Sequence, residues 1–269
     1  MANFTINKIR RITQYANAAV PAAENHGVAV EKDDILWTIK DVTDFSVSNG
    51  SEMADAVDGD GVVIESYLRS KTAEMSGSNA LFDLPLAAAQ AGTKLTTGAV
   101  EVQFHDILKL AKDAKSVTLS KNPKTGGEPK VVYVMNGDGS LGTKITIAAD
   151  GDAQYAAGTG DANGTVTFTT SPAAKEDVQL FIPYVYEETD AQKFTNFADA
   201  NTIPGRCVVE GLGKDVCTHE LVYFYITAPY AQLAIDGDLN FATDGTHDFT
   251  INCKKEYCGE EGLYSVIVC

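Results

Sequence analysis

The sequence predicts a mainly β fold, and three observations carry that prediction. From residue 116 onward, apolar and polar residues alternate in short runs. The runs are rich in Val, Ile, Thr, Tyr and Phe, residues that fit a pleated, half-buried surface. Each run is bounded by Gly, Pro, Asn or Asp, as in "NPKTGGEP", "NGDGSLG", "GTGDANG" and "SPAAKE". Strands recurring every ~10 to 15 residues are the pattern of a sandwich or barrel. The chain of 269 residues, 44% hydrophobic, is long enough for one large β domain or two smaller ones.

The elements follow in order. Residues 1–34 carry weak patterns, end near the acidic "EKDD" and are read as an N-terminal arm. "ILWTIKDVTDFSVS" (35–48) sets Ile35, Trp37 and Ile39 against Leu36, Thr38 and Lys40, a half-buried strand. Residues 49–78 hold "DAVDGDG", crowded with acids and glycines between strand-like "FSVS" and "VVIESYL". That arrangement predicts a long hairpin tip, and loops of such length are usually functional or ordered by a partner.

"NALFDLPLAAAQAGTK" (79–94) is the best helix. Asp83 serves as N-cap, Pro85 is tolerated in the first turn, the Ala run favours helix and Gly92 ends it. "VQFHDILKLAKDAKSV" stays ambiguous. Phe104, Ile107, Leu108 and Ala111 have helical spacing, yet "ILKL" reads equally as strand. Strand and turn then alternate to the end, through "RCVVEG", "HELVYFYITAP", "AQLAIDGDLNFAT", "HDFTINC" and "LYSVIVC". "LVYFYITA" carries no charge over its length, a poor choice for an exposed sheet edge. It is either central within the subunit or paired to another chain.

Charge bounds the function. With 37 acids against 21 Lys and Arg, the formal net charge is −16. Tight phosphate binding draws on cations that displace counterions, so this balance argues against a gripping nucleic-acid groove. It is compatible with a surface along which nucleic acid slides. No stretch reaches the ~18 to 20 apolar residues of a membrane helix. Lys8, Arg10 and Arg11 are not followed by an apolar core, so the N-terminus does not read as a secretory signal. A chain made in a cytosol, with reduced thiols at Cys207, Cys217, Cys253, Cys258 and Cys269, is the expectation.

Chemistry-bearing motifs are weak. Cys217 and His219 are one residue apart in spacing and Cys253 and Cys258 four, poor and tolerable respectively for zinc, so free thiols are favoured. "DGDG" (58–61), "NGDGSLG" (136–142) and "DGDL" (236–239) each resemble part of a calcium loop. The first puts Val62 at the fifth position and the second Leu141 at the sixth, so hairpin turns are favoured. There is no nucleophile elbow, no phosphate loop and no cofactor motif. His26, His105, His219 and His247 read as surface or core histidines, and no enzyme is expected.

Taken in series, "DFSVSNGSEMADAVDGDG", "VVIESYLRSKTAEMSGSNALFDLPLAAAQAGT", "DAQYAAGTGDANGTVTFTTSPAAKEDVQLFIPYVYEE" and "LAIDGDLNFATDGTHDFTINC" resemble the major tail tube protein of tailed bacteriophages. The resemblance covers roughly residues 35–269. It implies a tail-tube-like β-barrel or sandwich with one or two short helices, a long hairpin loop and an inserted Ig-like segment. On that frame residues 1–34 are the arm, 35–115 the first part of a tube domain, 116–187 β-sandwich-like strands and 188–269 the strands completing the tube domain. The resemblance further implies a virion protein, made in the host cytoplasm, assembling into stacked rings, commonly six-fold. Its partners would be itself, tape measure and terminator or baseplate proteins, and a sheath if the tail contracts. Genome DNA would pass through the lumen without sequence-specific binding, and no membrane partner is implied. The hairpin, with Asp55, Asp58, Asp60, Glu65, Arg69 and Lys71, would contact the adjacent ring. Two other readings remain: a capsid decoration or head–tail connector protein, and a carbohydrate-binding β-sandwich module.

Overall fold

A computed structural model describes every residue except 1–2, 41, 159–161, 236–238, 240–241, 243–244, 257–258 and 260–261. The chain is mainly β and forms two compact units, residues 1–95 with 194–269, and residues 96–193.

The first unit is built on an eight-stranded antiparallel sheet. Its strands are β1 (Phe4–Ala16), β2 (Ile35–Lys40), β3 (Val42–Val57) and β4 (Val63–Asn79). The chain then leaves for the second unit and returns through β12 (Gly205–Asp215), β13 (Leu221–Leu233), β14 (His247–Cys253) and β15 (Ser265–Val268). The hydrogen-bonded order is β2-β1-β12-β13-β14-β4-β3, with β15 also on β13. Residues 4–16, placed by sequence within an arm, thus run inside the sheet between β2 and β12.

The uncharged "LVYFYITA" lies in β13, which has neighbours on both edges. β12 pairs along one side, and β15 and then β14 share the other. Pairing on both edges within the subunit therefore satisfies this strand, with Phe224, Ile226 and Ala228 buried and Leu221 and Tyr223 exposed.

β2 and β3 occupy opposite ends of the sheet, yet Lys40 and Val42 are separated by a single residue. Two peptide links span at most about 7 Å, so the sheet's two ends are brought together at this corner. No ladder joins β2 to β3 among the described residues, so the rolled sheet is not a closed barrel. Trp37 of β2 and Phe249 of β14 meet across the interior at 6.4 Å between ring centroids. Around them pack Ile12, Ile39, Met75, Val209 and Ile251, all essentially without solvent exposure. On β12 the inward positions alternate Cys207, Val209 and Gly211. A Cβ on Gly211 would stand 2.0 Å from Cζ of Phe224, so glycine makes room for that ring.

Gln14 brings polarity into this core without leaving a group unpaired. Its amide nitrogen donates to Ala231 O at 2.9 Å and Ile203 O at 3.3 Å, and its oxygen accepts from Trp37 Nε1 at 2.6 Å. Such full satisfaction is what makes a buried amide tolerable.

Helix α1 (Leu84–Gln90) forms where the sequence places it. The Asp83 carboxylate accepts the Leu86 N–H at 2.8 Å, and Pro85 sits in the first turn. Gly92 follows at φ +67°, packed so that a Cβ would meet the Asn201 backbone at 2.7 Å. Leu86, Ala87, Ala88 and Gln90 are buried. Among the described residues a single 3-10 turn, Ala22–Glu24, is the other helical element.

His247 docks this helix onto β14. Its Nδ1 accepts the Asp83 N–H at 3.3 Å, and its Nε2 faces Gln90 Oε1 at 2.7 Å, while Phe82 stacks on the ring. An accepting Nδ1 leaves Nε2 to donate, which makes the imidazole neutral. Burial pushes its pKa below the ordinary 6.5, against the opposing pull of Asp83 and Asp248. The unfolded chain therefore binds the proton more readily than the folded one. The stability this residue contributes is complete above pH 6.5 and is lost as the pH falls below that value through the folded pKa. His247→Gln should flatten the decline of the thermal midpoint between about pH 6.5 and pH 4.5. An unchanged slope in parallel melts would show that His247 is not its source.

The second unit carries two sheets. β5 (Thr96–Leu110), β7 (Val131–Met135), β8 (Leu141–Thr146) and β11 (Val178–Lys193) form one, in the order β5-β11-β7-β8. β6 (Ser116–Thr118), β9 (Ala153–Ala156) and β10 (Thr165–Phe168) form the other. Leu119, Val132, Val166, Phe168, Leu180 and Ile182 fill its core. The ambiguous 102–117 stretch is strand through Leu110, because β11 pairs with β5 from Val178↔Leu110 to Lys193↔Thr96. Residues 96–115, grouped by sequence with the tube domain, belong to this unit.

Asp106 ties the unit together. It is buried, and its carboxylate accepts the Ser120 N–H at 2.8 Å, the Ser120 hydroxyl, and the Tyr184 hydroxyl at 2.9 Å. The Tyr184 oxygen in turn accepts the Lys121 N–H at 3.1 Å. Burial pushes the Tyr184 phenol up to about 12; Asp106 adds to that rise and Ser120 opposes it.

Candidate assembly surface

The most unusual surface belongs to the β3–β4 hairpin. β4 has a third-strand partner only from Ala73 to Asn79, where β14 pairs with it. Beyond that, from Gly50↔Thr72 to Val57↔Val63, β3 and β4 pair only with each other. Eight residues of β3, facing ten of β4 across two register shifts, make this two-stranded ribbon roughly 25 Å long. From Ser48 to Thr72 every described side chain is exposed except the half-buried Ala54.

A solvated ribbon is normally polar, and this one is not. Met53, Val57, Val62, Val63, Ile64, Tyr67 and Leu68 are each more than half exposed, Ile64 at 70%. Met53 lies opposite Leu68, Ala54 opposite Tyr67 and Val57 opposite Val63, so successive pairs place apolar side chains on both faces. An isolated two-stranded hairpin is marginal in water, and clustered exposed apolar side chains mark an interaction site.

The six residues singled out from the sequence all lie on this hairpin, in two groups. Asp55, Asp58, Asp60 and Glu65 gather toward its distal end. Asp55 accepts the Ser66 hydroxyl at 2.5 Å. Asp58 builds the turn, accepting the N–H groups of Asp60 and Val62, both at 2.9 Å. Glu65 faces Ala56 across the ladder. Arg69 and Lys71 sit nearer the base, Arg69 paired with Glu52 at 3.1 Å and Lys71 opposite Ser51. Sequence reasoning missed the apolar half of the surface. "VVIESYL" is visible as a strand, but alternation cannot show that neither of its faces is covered.

Two of the three calcium-like loops are turns. Asp58 spends its carboxylate on its own backbone, and Asp138 does the same, accepting the Ser140 N–H at 3.0 Å and hydroxyl at 2.6 Å. Those bonds hold the Asp138 carboxyl below its ordinary value. Residues 236–238 of the third loop lie outside the described residues.

Cys217 and Cys253, one from each spaced pair, are far apart, whereas Cys207 and Cys253 share the same core. Cys217 is exposed in the turn after β12, whereas Cys253 is buried at the far end of β14. Along β13 their neighbouring positions, Leu221 and Ala231, are ten residues apart, roughly 33 Å. Cys207 is buried and Cys269 exposed, while Cys258 lies outside the described residues. Burial pushes the Cys253 thiol up to about 11 and the Cys207 thiol higher still. Among the described residues, no three His, Cys, Asp or Glu side chains converge as metal ligands would.

His26 stacks on Phe197 at 4.0 Å, His105 stacks on Phe181 at 4.6 Å, and His219 lies in the β12–β13 turn at φ 60°. No described helix is long and apolar enough to cross a membrane.

A long self-paired ribbon with uncovered apolar side chains is suited to contact with another protein chain. None of the curated proteins compared with this chain matches it. A family model does, that of the YomU/Tube protein family, over residues 29–260. That span exceeds half the sequence, and the chain belongs to this tube-protein family, as its resemblance to phage tail tube proteins led one to expect.

Proposed function

We propose that this phage tail tube protein is a non-enzymatic subunit that polymerises into stacked, six-fold rings forming a conduit for the genome. The observation that carries the reading is the β3–β4 ribbon, whose uncovered apolar side chains require a partner surface. Rolled-sheet edges at β2 and β3 offer further backbone groups for pairing between subunits. The net charge of −16 suits a lumen through which DNA passes without sticking, since like charges oppose phosphate binding. In the virion the same tube would meet tape measure, terminator or baseplate proteins, and a sheath if the tail contracts.

Negative-stain microscopy at rising protein concentration tests this. Stacked rings or tubes are expected. A protein that stays monomeric or trimeric and decorates capsids would replace the tube reading with the decoration reading. Glycan binding by the monomer would favour a carbohydrate-binding module instead.

A further inference from the structure

β5 carries the chain into the second unit and β11 carries it out, and their pairing changes character along its length. From Val178↔Leu110 to Tyr184↔Phe104 the ladder is part of the sandwich. Leu110, Leu180, Ile182 and Tyr184 are core residues there, and β7 pairs with β11 on its other edge at Leu180 and Phe181. The loop before β7 extends that support a little further. The Lys124 N–H donates to Val185 O, the Val185 N–H donates to Gly127 O, and Pro123 bridges to Tyr186. From Glu187↔Glu101 to Lys193↔Thr96 the two strands pair only with each other among the described residues.

This two-stranded neck is roughly 20 Å long. No core residue lies in it, and each of its residues is exposed or half-buried. A strand pair with neither a third neighbour nor a packed face is marginal. At its junction with the sandwich Glu187 lies directly opposite Glu101, a like-charge pair that weakens the ladder, offset by Lys124 on Glu101.

The neck is also interrupted. After Glu188↔Val100 the next pair is Ala191↔Gly98, so Thr189 and Asp190 face the single residue Ala99. Two residues against one make a β-bulge, which disrupts the ladder, bends the strand and increases its twist. Gly98 has a φ of +155°, a value that side-chain-bearing residues rarely adopt, and nothing lies within 4 Å of the place its Cβ would take. No neighbour braces the bulge on that side. Beyond it the strands are rejoined, with Thr96 Oγ1 donating to Lys193 O at 2.9 Å. They therefore bend as a pair rather than part.

We propose that the bulge at Gly98 and Thr189–Asp190 is a pivot about which the sandwich of the second unit swings as a rigid body. Bending there breaks no buried apolar contact, because the core ends at Tyr184 with Tyr186 packed against it. Both crossings of the chain run through the neck, so this one joint governs the sandwich's freedom. The pivot is independent of the tube reading. Where the first unit is fixed in an assembly, the sandwich still reorients.

Pulsed electron double resonance between two spin labels on the full-length monomer tests the pivot. Exposed Cys217 takes one label and Lys175→Cys, on the exposed turn before β11, takes the other. Cys258 and Cys269 are changed to Ser, while Cys207 and Cys253 are buried and stay. Wild type should give a broad distance distribution. Deleting Asp190 leaves Thr189 alone opposite Ala99 and makes the ladder even, which should narrow the distribution to about half its width. Deleting Thr189 instead evens the ladder in the same way and serves as the second variant. Circular dichroism verifies that both variants are folded. A narrow distribution in wild type, or an undiminished width in a folded deletion variant, overturns the pivot.

Discussion

Replacing Glu52–Ser70 by Asn-Gly, so that Ser51↔Lys71 becomes the last ladder pair, should abolish assembly and leave the monomer folded. The excised residues pair only with each other, and no member of the hydrophobic core lies among them. Asn-Gly is the turn that a two-residue hairpin connection favours, because both central positions take φ above zero. The thermal midpoint of the monomer should move by no more than about 2 °C. Solubility should rise, since seven large exposed apolar side chains leave with the segment. Tubes or stacked rings that survive the excision would assign stacking to another surface. A collapsed midpoint would instead mean that the ribbon supports the sheet from which it extends.

Asp106→Ala should unfold the second unit at a far lower temperature than wild type. The substitution strips partners from the Ser120 N–H, the Ser120 hydroxyl and the Tyr184 hydroxyl at once. Tyr184 is buried, and an unsatisfied buried donor costs about 1–3 kcal/mol. A combined loss of about 3–4 kcal/mol is expected, which for a unit of this size corresponds to a fall of roughly 15–25 °C in midpoint. Asp106→Asn keeps one acceptor oxygen and should fall between the two. Circular dichroism melts and amide exchange at Ser120 read the effect. A shift under about 3 °C would mean that the network contributes little beyond packing.

Local rules account for what was legible in the sequence. Helix α1 was visible because Asp83, Pro85, the Ala run and Gly92 each act within a few residues, and neighbours reinforced the same outcome. The hairpin was visible because "DAVDGDG" has the turn chemistry and its flanks have strand propensity. Its acids could be read directly, but its exposed apolar residues could not, since composition does not reveal coverage. The stretch at 102–117 defeated periodicity, because Phe104, Ile107 and Leu108 satisfy helical and extended templates equally. Pairing with β11 along the whole of β5 decided it.

β1 shows the opposite kind of failure. Its register slips between Ile6 and Lys8 and again between Ile9 and Arg11. A bulge shifts the inward face by one residue, so two of them blur the alternation that identifies a strand. That is why residues 4–16 look like a patternless arm until β12 and β2 are seen on either side.

The sequence by itself thus determined the mainly β class, the capped helix, the acidic hairpin and membership of a tube family, because these follow from short-range chemistry or from whole-chain similarity. Tertiary structure alone decided where the strands find neighbours. It gave "LVYFYITA" partners on both edges within the subunit and set β2 and β3 at opposite ends of one sheet. The physical reason is that a strand's hydrogen-bonding edges are satisfied by residues distant in sequence, and no local pattern specifies which ones.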